Sequence, residues 1–255
     1  MGHLDSLRMH LINIGTGDQE LILAAISYND LSRFRCRPSD YLELLFDVAD
    51  SHATIVMNAF TWRFCETAQF DINRTPVEVG LVAEIFRRTE GVLRSRHPIF
   101  SLCAKGPLAR EVLRHNGPTC WGNGSPAQVL LERNAFCLNI GKEFPRAITL
   151  LHSFEEWFGV PYRYFKTFSG EVNFGDGAEH YATEFYVRDP SVSCYHWTPA
   201  VNLLLERSLI RGSTFDLPIR AAFAQDLQRA VYQCLEKNSE IFITKDESRT
   251  GNKHI

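Results

Sequence analysis

"TPVEVGLVAEIFRRTEGVLRSRHPIFSLCA", Thr75 to Ala104, changes its period halfway. In its first half the apolar residues recur at helical spacing, and Thr75, Pro76 and Glu78 form a capping box with proline at the first helical position. Gly91 suits the C-terminal stop, so the pattern predicts a helix between Thr75 and Gly91. Beyond it, "IFSLCA" (99–104) gathers apolar and β-branched residues between turn signals, the mark of a buried strand. His97 stands between the two, directly before Pro98, which disfavours helical backbone for it and restricts its orientation.

The same alternation extends outward. "ELILAAIS" (20–27), "ATIVMNAF" (53–60) and "AFCLNI" (135–140) read as further buried strands. Helical patterns lie between them: "PSDYLELLFDVAD" (38–50) behind Ser39, "SPAQVLLERN" behind Ser125, Pro126 and Gln128, and "PRAITLLHSFEEWFG" (145–159). Strands and helices in this order predict an α/β layer structure, a central and mostly buried sheet with helices on both sides. A β-hairpin region around Gly175-Asp176-Gly177 and a long amphipathic helix over 217–238 follow. With no internal repeat, low-complexity segment or linker, residues 1–243 read as one composite domain, and the polar 244–255 as a disordered tail.

The bulk properties exclude several classes. Among 255 residues, 27 Lys plus Arg face 30 Asp plus Glu, a net charge of -3, so nucleic acid is not the expected partner, although a local basic patch could bind phosphates. The seven cysteines are scattered with no Cys-x-x-Cys pair, which suits reduced thiols in a cytosolic protein. No apolar run approaches the ~20 residues of a membrane span, and the N-terminus lacks the apolar centre of a secretion signal. The expected location is therefore cytoplasmic, with no membrane partner, and no ligand cluster calls for a metal.

Two histidines carry the candidate chemistry. His152 and Glu155 lie three apart in a helical pattern, so the carboxylate can fix the imidazole tautomer and raise its basicity; the alternative is a surface ion pair of little consequence. His97 reads equally as a functional group or as a satisfied histidine at the mouth of a strand. "GNGSP" (122–126) could present backbone N–H groups to a phosphate at a helix N-terminus, or be a plain turn before a capped helix. Asp71, in "FDINRTP", could contact a substrate amine or hydroxyl, or serve as a turn residue. There is no Walker lysine, no dinucleotide fingerprint and no Gly-x-Ser-x-Gly elbow, and Cys103 sits inside a buried strand, away from the exposed positive setting of a reactive thiolate.

In order along the chain, "INIGTGDQELILAAISYNDLSRF", "IVMNAFTWRF", "FDINRTPVEVGLVAEIFRRTEGVLRSRHPIFSLCAKGP", "WGNGSPAQVLL" and "ITLLHSFEEWFGVPYRYFK" resemble the aminoglycoside 3-N-acetyltransferase family, over about residues 10–190. That resemblance implies an acyl-coenzyme A dependent N-acyltransferase outside the GNAT fold. By it, His97 with Pro98 matches the family's His-Pro element and His152 with Glu155 its Leu-His-x-x-Glu element, both at the active site. Asp30, Leu31, Ser32, Arg94, Ser101, Gly124 and Ser125 would lie by the coenzyme, and Asp71, Thr61 and Arg163 by the substrate. Where the family's first strand ends in a His-Ser pair, this chain has Tyr28 and Asn29. The loops look too short to frame a bulky aminoglycoside, and "TWRFCETAQFDINRTP", "FGVPYRYFK" and "EFYVRDP" stand closer to the branch that acylates nucleotide-linked deoxyamino sugars for surface polysaccharides. Arg94, Arg96, Arg163 and Lys166 would suit the pyrophosphates of such a substrate and of coenzyme A.

The function expected is thus transfer of an acetyl or small hydroxyacyl group from a coenzyme A thioester to the amine of a nucleotide-linked amino sugar, with an aminoglycoside as the alternative acceptor. His152 is the expected base, oriented by Glu155. His97 is the alternative base, or a donor to the thioester oxygen or departing thiolate. A non-catalytic acyl-coenzyme A or nucleotide-sugar binding protein is the rival of a different class, and a homodimer is compatible with either.

Overall fold

The structure is a computed structural model and describes residues 2–141, 144–145, 148–214 and 218–245. Its strands in chain order are β1 (Leu21–Ile26), β2 (Thr54–Asn58), β3 (Gln69–Asp71), β4 (Leu93–Arg94), β5 (Leu102–Lys105), β6 (Phe136–Ile140), β7 (Arg163–Asn173), β8 (Ala178–Arg188), β9 (Val192–Tyr195), β10 (Arg211–Thr214), β11 (Pro218–Phe223) and β12 (Ile243–Lys245). The main sheet runs β10-β11-β6-β1-β2-β5-β4. β1 pairs in parallel with β2 and β6, whereas β5, β4, β11 and β10 join antiparallel on the two flanks.

The apolar runs are continuous because both faces of the sheet are covered. Alternate residues serve opposite cores: Leu21 and Leu23 pack to one side, Ile22 and Ala24 to the other. On the first side lie Leu130 of the Pro126–Glu132 helix, Phe154 of Leu151–Phe158 and Leu227 and Val231 of Ala224–Lys237. The second side is closed by Leu7 and Leu11 of His3–Asn13, Tyr41 and Leu45 of Pro38–Ala49, and Val82 and Phe86 of Leu81–Arg88.

Beside this frame β7 and β8 form a long hairpin through Gly175 (φ 107°) and Gly177 (φ 110°), a left-handed turn that glycine takes without a Cβ penalty. β3 adds in parallel along β7, making a three-stranded sheet. The hairpin rests on the backbone at Ala68, whose carbonyl accepts from the Glu171 N–H at 2.9 Å.

Several sequence expectations shift. The 75–91 helix is shorter, Leu81–Arg88, with Gly80 ahead of it. Thr75 and Glu78 do not cap it: the Thr75 hydroxyl accepts from the Asp71 N–H, and Glu78 accepts from the Trp62 N–H at 2.6 Å, so long-range turn bonds replaced the local box. The 145–159 helix starts at Leu151, and Arg146 and Ala147 of that stretch lie outside the described residues. Over 217–238, residues Pro218–Phe223 form a strand against β6 and only Ala224–Lys237 is helical, because β6 needs a partner for its open edge. Within the expected tail, Thr244 and Lys245 pair with β9; residues 246–255 lie outside the described residues. His3–Asn13 is a helix that was not foreseen.

A Cβ on Gly170 would meet the Ala68 carbonyl oxygen at 2.2 Å, backbone that cannot step aside. Gly170→Ala should therefore destabilise the fold by about 1–3 kcal/mol, measured as a lower urea midpoint at unchanged slope.

Candidate active site

The parallel strands β6, β1 and β2 all end at the same edge, where ligand crevices of open α/β sheets form. The link from β6 leads there into the Leu151–Phe158 helix, and the Thr149 hydroxyl bonds the Asn58 side chain at the end of β2 at 2.8 Å. On that helix His152 and Glu155 face each other, with Nδ1 to Oε2 at 2.7 Å. Glu155 is 0 % exposed, and Tyr162 donates to its Oε1 at 2.8 Å. The Arg163 Nε lies 3.0 Å from Oε2, with that side chain 6 % exposed, and its Nη1 donates to the Tyr186 carbonyl at 2.7 Å.

The charges follow from these contacts. Burial pushes the Glu155 carboxyl up, but His152, the Arg163 charge and the Tyr162 hydroxyl together outweigh it and hold it below its ordinary value. An ionised Glu155 can only accept, so the shorter of the two Nδ1 contacts, 2.7 Å to Glu155 against 3.0 Å to Arg163 Nη2, assigns the His152 proton to Nδ1, makes the arginine a charge neighbour rather than a donor to the ring, and leaves the Nε2 lone pair free. Burial first, and then the Arg163 charge, push His152 below 6.5 despite the pull of Glu155. A neutral imidazole of fixed tautomer, 29 % exposed, results. Trp121, Tyr195 and Trp197 stand around it with ring centroids 6.1–6.4 Å away. Tyr195 and Trp197 also line a cavity of about 300 Å³ with Phe144, Val201 and Arg220.

His97 is placed otherwise. It is 1 % exposed, its Nδ1 accepts from the N–H groups of Ile99 (3.1 Å) and Phe100 (2.9 Å), and Nε2 meets the Thr183 hydroxyl at 3.0 Å. With Nδ1 an acceptor, the proton sits on Nε2, and burial together with His115 pushes the ring well below 6.5. Both ring nitrogens are bonded within the fold, so His97 joins the strand mouth to the hairpin.

Most of the expected coenzyme and substrate contacts are also committed within the fold. Arg94 donates to Ser101 Oγ (2.8 Å), the Thr75 carbonyl (2.6 Å) and the Ala59 carbonyl (2.8 Å), and buried Ser101 donates to Ala59 as well. The N–H groups of Asp30 and Leu31 bond the Ser27 carbonyl, and that of Ser32 bonds Tyr28. Buried Thr61 accepts from the Arg63 N–H at 3.4 Å. Asp71 accepts from the N–H groups of Asn73 and Arg74 and from Asn173, the turn role. Arg163 is paired with Glu155. In the "GNGSP" turn the N–H groups of Gly122, Gly124 and Ser125 are already bonded, to Thr119, Gln128 and Gly122. A Cβ on Gly122 would lie 2.6 Å from a Glu156 oxygen, so this glycine serves close approach. Ser125 Oγ is buried without a partner among the described residues.

Sequence reasoning missed Tyr162, Tyr195, Trp197 and Glu156. The Glu155-Glu156 doublet was the available signal for the last: Glu156 accepts from the Thr119 hydroxyl at 2.6 Å while its Oε2 finds no partner among the described residues. Burial raises the Glu156 pKa.

An α/β fold with a hydrogen-bonded His–Glu pair on the helix near the ends of its parallel strands defines the class. The chain belongs to the aminoglycoside 3-N-acetyltransferase family, whose model matches residues 23–236. It is 28% identical over 159 residues to aminoglycoside N(3)-acetyltransferase IV of Salmonella sp, covering 60% of this chain and 58% of that protein. Among solved structures, AAC-IIIb in binary complex with CoASH is 22% identical with a TM-score of 0.78, over 95% of this chain and 98% of that one. A mutant of aminoglycoside acetyltransferase AAC(3)-IVa in complex with gentamicin is 23% identical with a TM-score of 0.81, over 97% and 93%. At that identity the structures establish the fold, which is not that of GNAT enzymes. The matches overturn the nucleotide-sugar expectation: the family, its curated relative and the gentamicin-bound structure all point to aminoglycoside acetyltransferases. Among the described residues no helix is long and apolar enough to cross a membrane and no cluster could hold a metal ion.

Replacing His97 by Gln should cost about 1–3 kcal/mol of stability, read from the unfolding midpoint, because it leaves buried N–H groups unpaired. The His152 ring should titrate below 6.5, followed by NMR of its ring protons.

Proposed function

We propose that the chain transfers an acetyl group from acetyl-coenzyme A to the 3-amino group of an aminoglycoside. The observation that carries this is the neutral, tautomer-fixed imidazole of His152, with a free Nε2 at the crevice edge. A protonated amine cannot attack a thioester. His152 Nε2 takes the amine proton as the C–N bond forms, help typically worth ~10²- to 10⁴-fold. Glu155 holds the ring through Nδ1 and stabilises the imidazolium, while Tyr162 and Arg163 hold Glu155. Glu156 and Glu184, the second close enough to raise the proton affinity of the first, offer carboxylates to a polycation.

The coenzyme is a co-substrate, and its thioester supplies the activated acyl group. One apolar cluster takes side chains from Leu21 through Phe242, which supports reading 1–243 as a single working unit.

The test follows thiol release from acetyl-coenzyme A with gentamicin or kanamycin as acceptor. Wild type should turn over and His152→Gln should lose at least about 10²-fold in kcat while still binding coenzyme A. Full activity in that variant would sink the assignment of the base. The acid limb of kcat should lie below pH 6.5: the imidazole must be neutral to act, so activity is present above its lowered pKa and is lost as pH falls through it.

A further inference from the structure

We propose that the groove along β4, at one edge of the main sheet, binds a small anion carrying two or more phosphate groups. Its volume is about 890 Å³, and Arg74, Arg87, Arg88, Arg94, Arg110 and Arg114 line it, with no aspartate or glutamate among the lining residues. This concentration is local, since the chain as a whole carries a net charge of -3.

Apart from Arg88, which is paired with Glu84, the guanidiniums divide into a floor and a rim. Arg87 and Arg94 form the floor. Arg87 is held by Glu84 at 2.8 Å and by the Asn73 carbonyl at 2.7 Å; Arg94 is held by the carbonyls and hydroxyl described above. They supply positive charge from fixed positions with little contact to water. Arg74, Arg110 and Arg114 form the rim, are exposed, and make no side-chain hydrogen bond or ion pair among the described residues. Arg110, on the short Ala109–Val112 helix, and Arg114, just past its end, both line the groove. The carboxylate between them does not neutralise them, because Glu111 is bound to Arg133 at 2.8 Å. Glu84 is likewise engaged, by Arg87 and Arg88.

Exposed guanidiniums at a rim over buried ones repel each other unless an anion lies between them. Phosphate is the anion whose geometry the planar guanidinium matches with paired donors, and several arginines call for more than one phosphate group. The volume is that of a small-molecule pocket, on the order of 300–1,000 Å³, rather than a nucleic-acid surface. None of these residues belongs to the His152, Glu155, Tyr162 and Arg163 cluster. The phosphate groups could come from the tail of coenzyme A or from a free nucleotide or inorganic polyphosphate.

The experiment titrates the full chain with inorganic pyrophosphate, tripolyphosphate and ADP by calorimetry, in wild type and in the Arg110→Ala/Arg114→Ala variant. Saturable binding is expected below about 1 mM, about tenfold or more weaker in the variant, and weaker again between about 50 and 200 mM salt. An unchanged unfolding midpoint of the variant shows that the loss is not one of folding. No saturable binding, or binding that the variant keeps in full, overturns the site. Competition distinguishes the sources: displacement of pyrophosphate by coenzyme A assigns the groove to the coenzyme's tail, and simultaneous binding assigns it to a free phosphate compound. Wild type that binds pyrophosphate but neither binds coenzyme A nor turns over would sink the acyl-transfer reading and leave the groove standing.

Discussion

A carboxylate removed from water must be compensated where it lies, and Glu155 is such a group. Its two oxygens take the His152 ring, the Tyr162 hydroxyl and the Arg163 guanidinium. Those partners come from two elements, the helix after β6 and the start of β7, so the requirement to satisfy one charge fixes how the hairpin meets the main sheet. Arg163 carries the link further by donating to the Tyr186 carbonyl on β8. Breaking any partner would leave a buried charge short of a donor, which is why the site and the packing around it cannot be separated.

Much of the frame was legible because its signals were local. β1, β2 and β6 are uninterrupted apolar runs between turns, and Pro38–Ala49 and Pro126–Glu132 each begin at a proline suited to the first helical position. Failures came where tertiary demand won over local pattern. The Thr75-Pro76-Glu78 triplet has the chemistry of a cap, yet its side chains close turns on Asp71 and Trp62. "PIRAAF" suits a strand or a helix, and only the open edge of β6 decides between them.

The candidate site was legible in part for a similar reason. His152 and Glu155 are neighbours on one helix, so spacing alone pairs them. Tyr162 reaches Glu155, and Tyr195 and Trp197 reach the imidazole, from other elements, and no spacing rule connects them. His97 shows the opposite case. The proline after it does fix its backbone, but the rigid ring is then filled by the N–H groups two and three residues on and by Thr183. Arg94 similarly has the right charge for a phosphate, and spends its donors on three backbone and hydroxyl oxygens.

The Arg163 Nη2 lies 3.0 Å from His152 Nδ1, on the same side as Glu155. Were the ring to take a second proton, two cations would share one carboxylate, and the guanidinium pushes the balance toward the neutral ring against the pull of Glu155. The arrangement works as a spring rather than a reservoir: a ring so placed gives up a second proton readily instead of storing it.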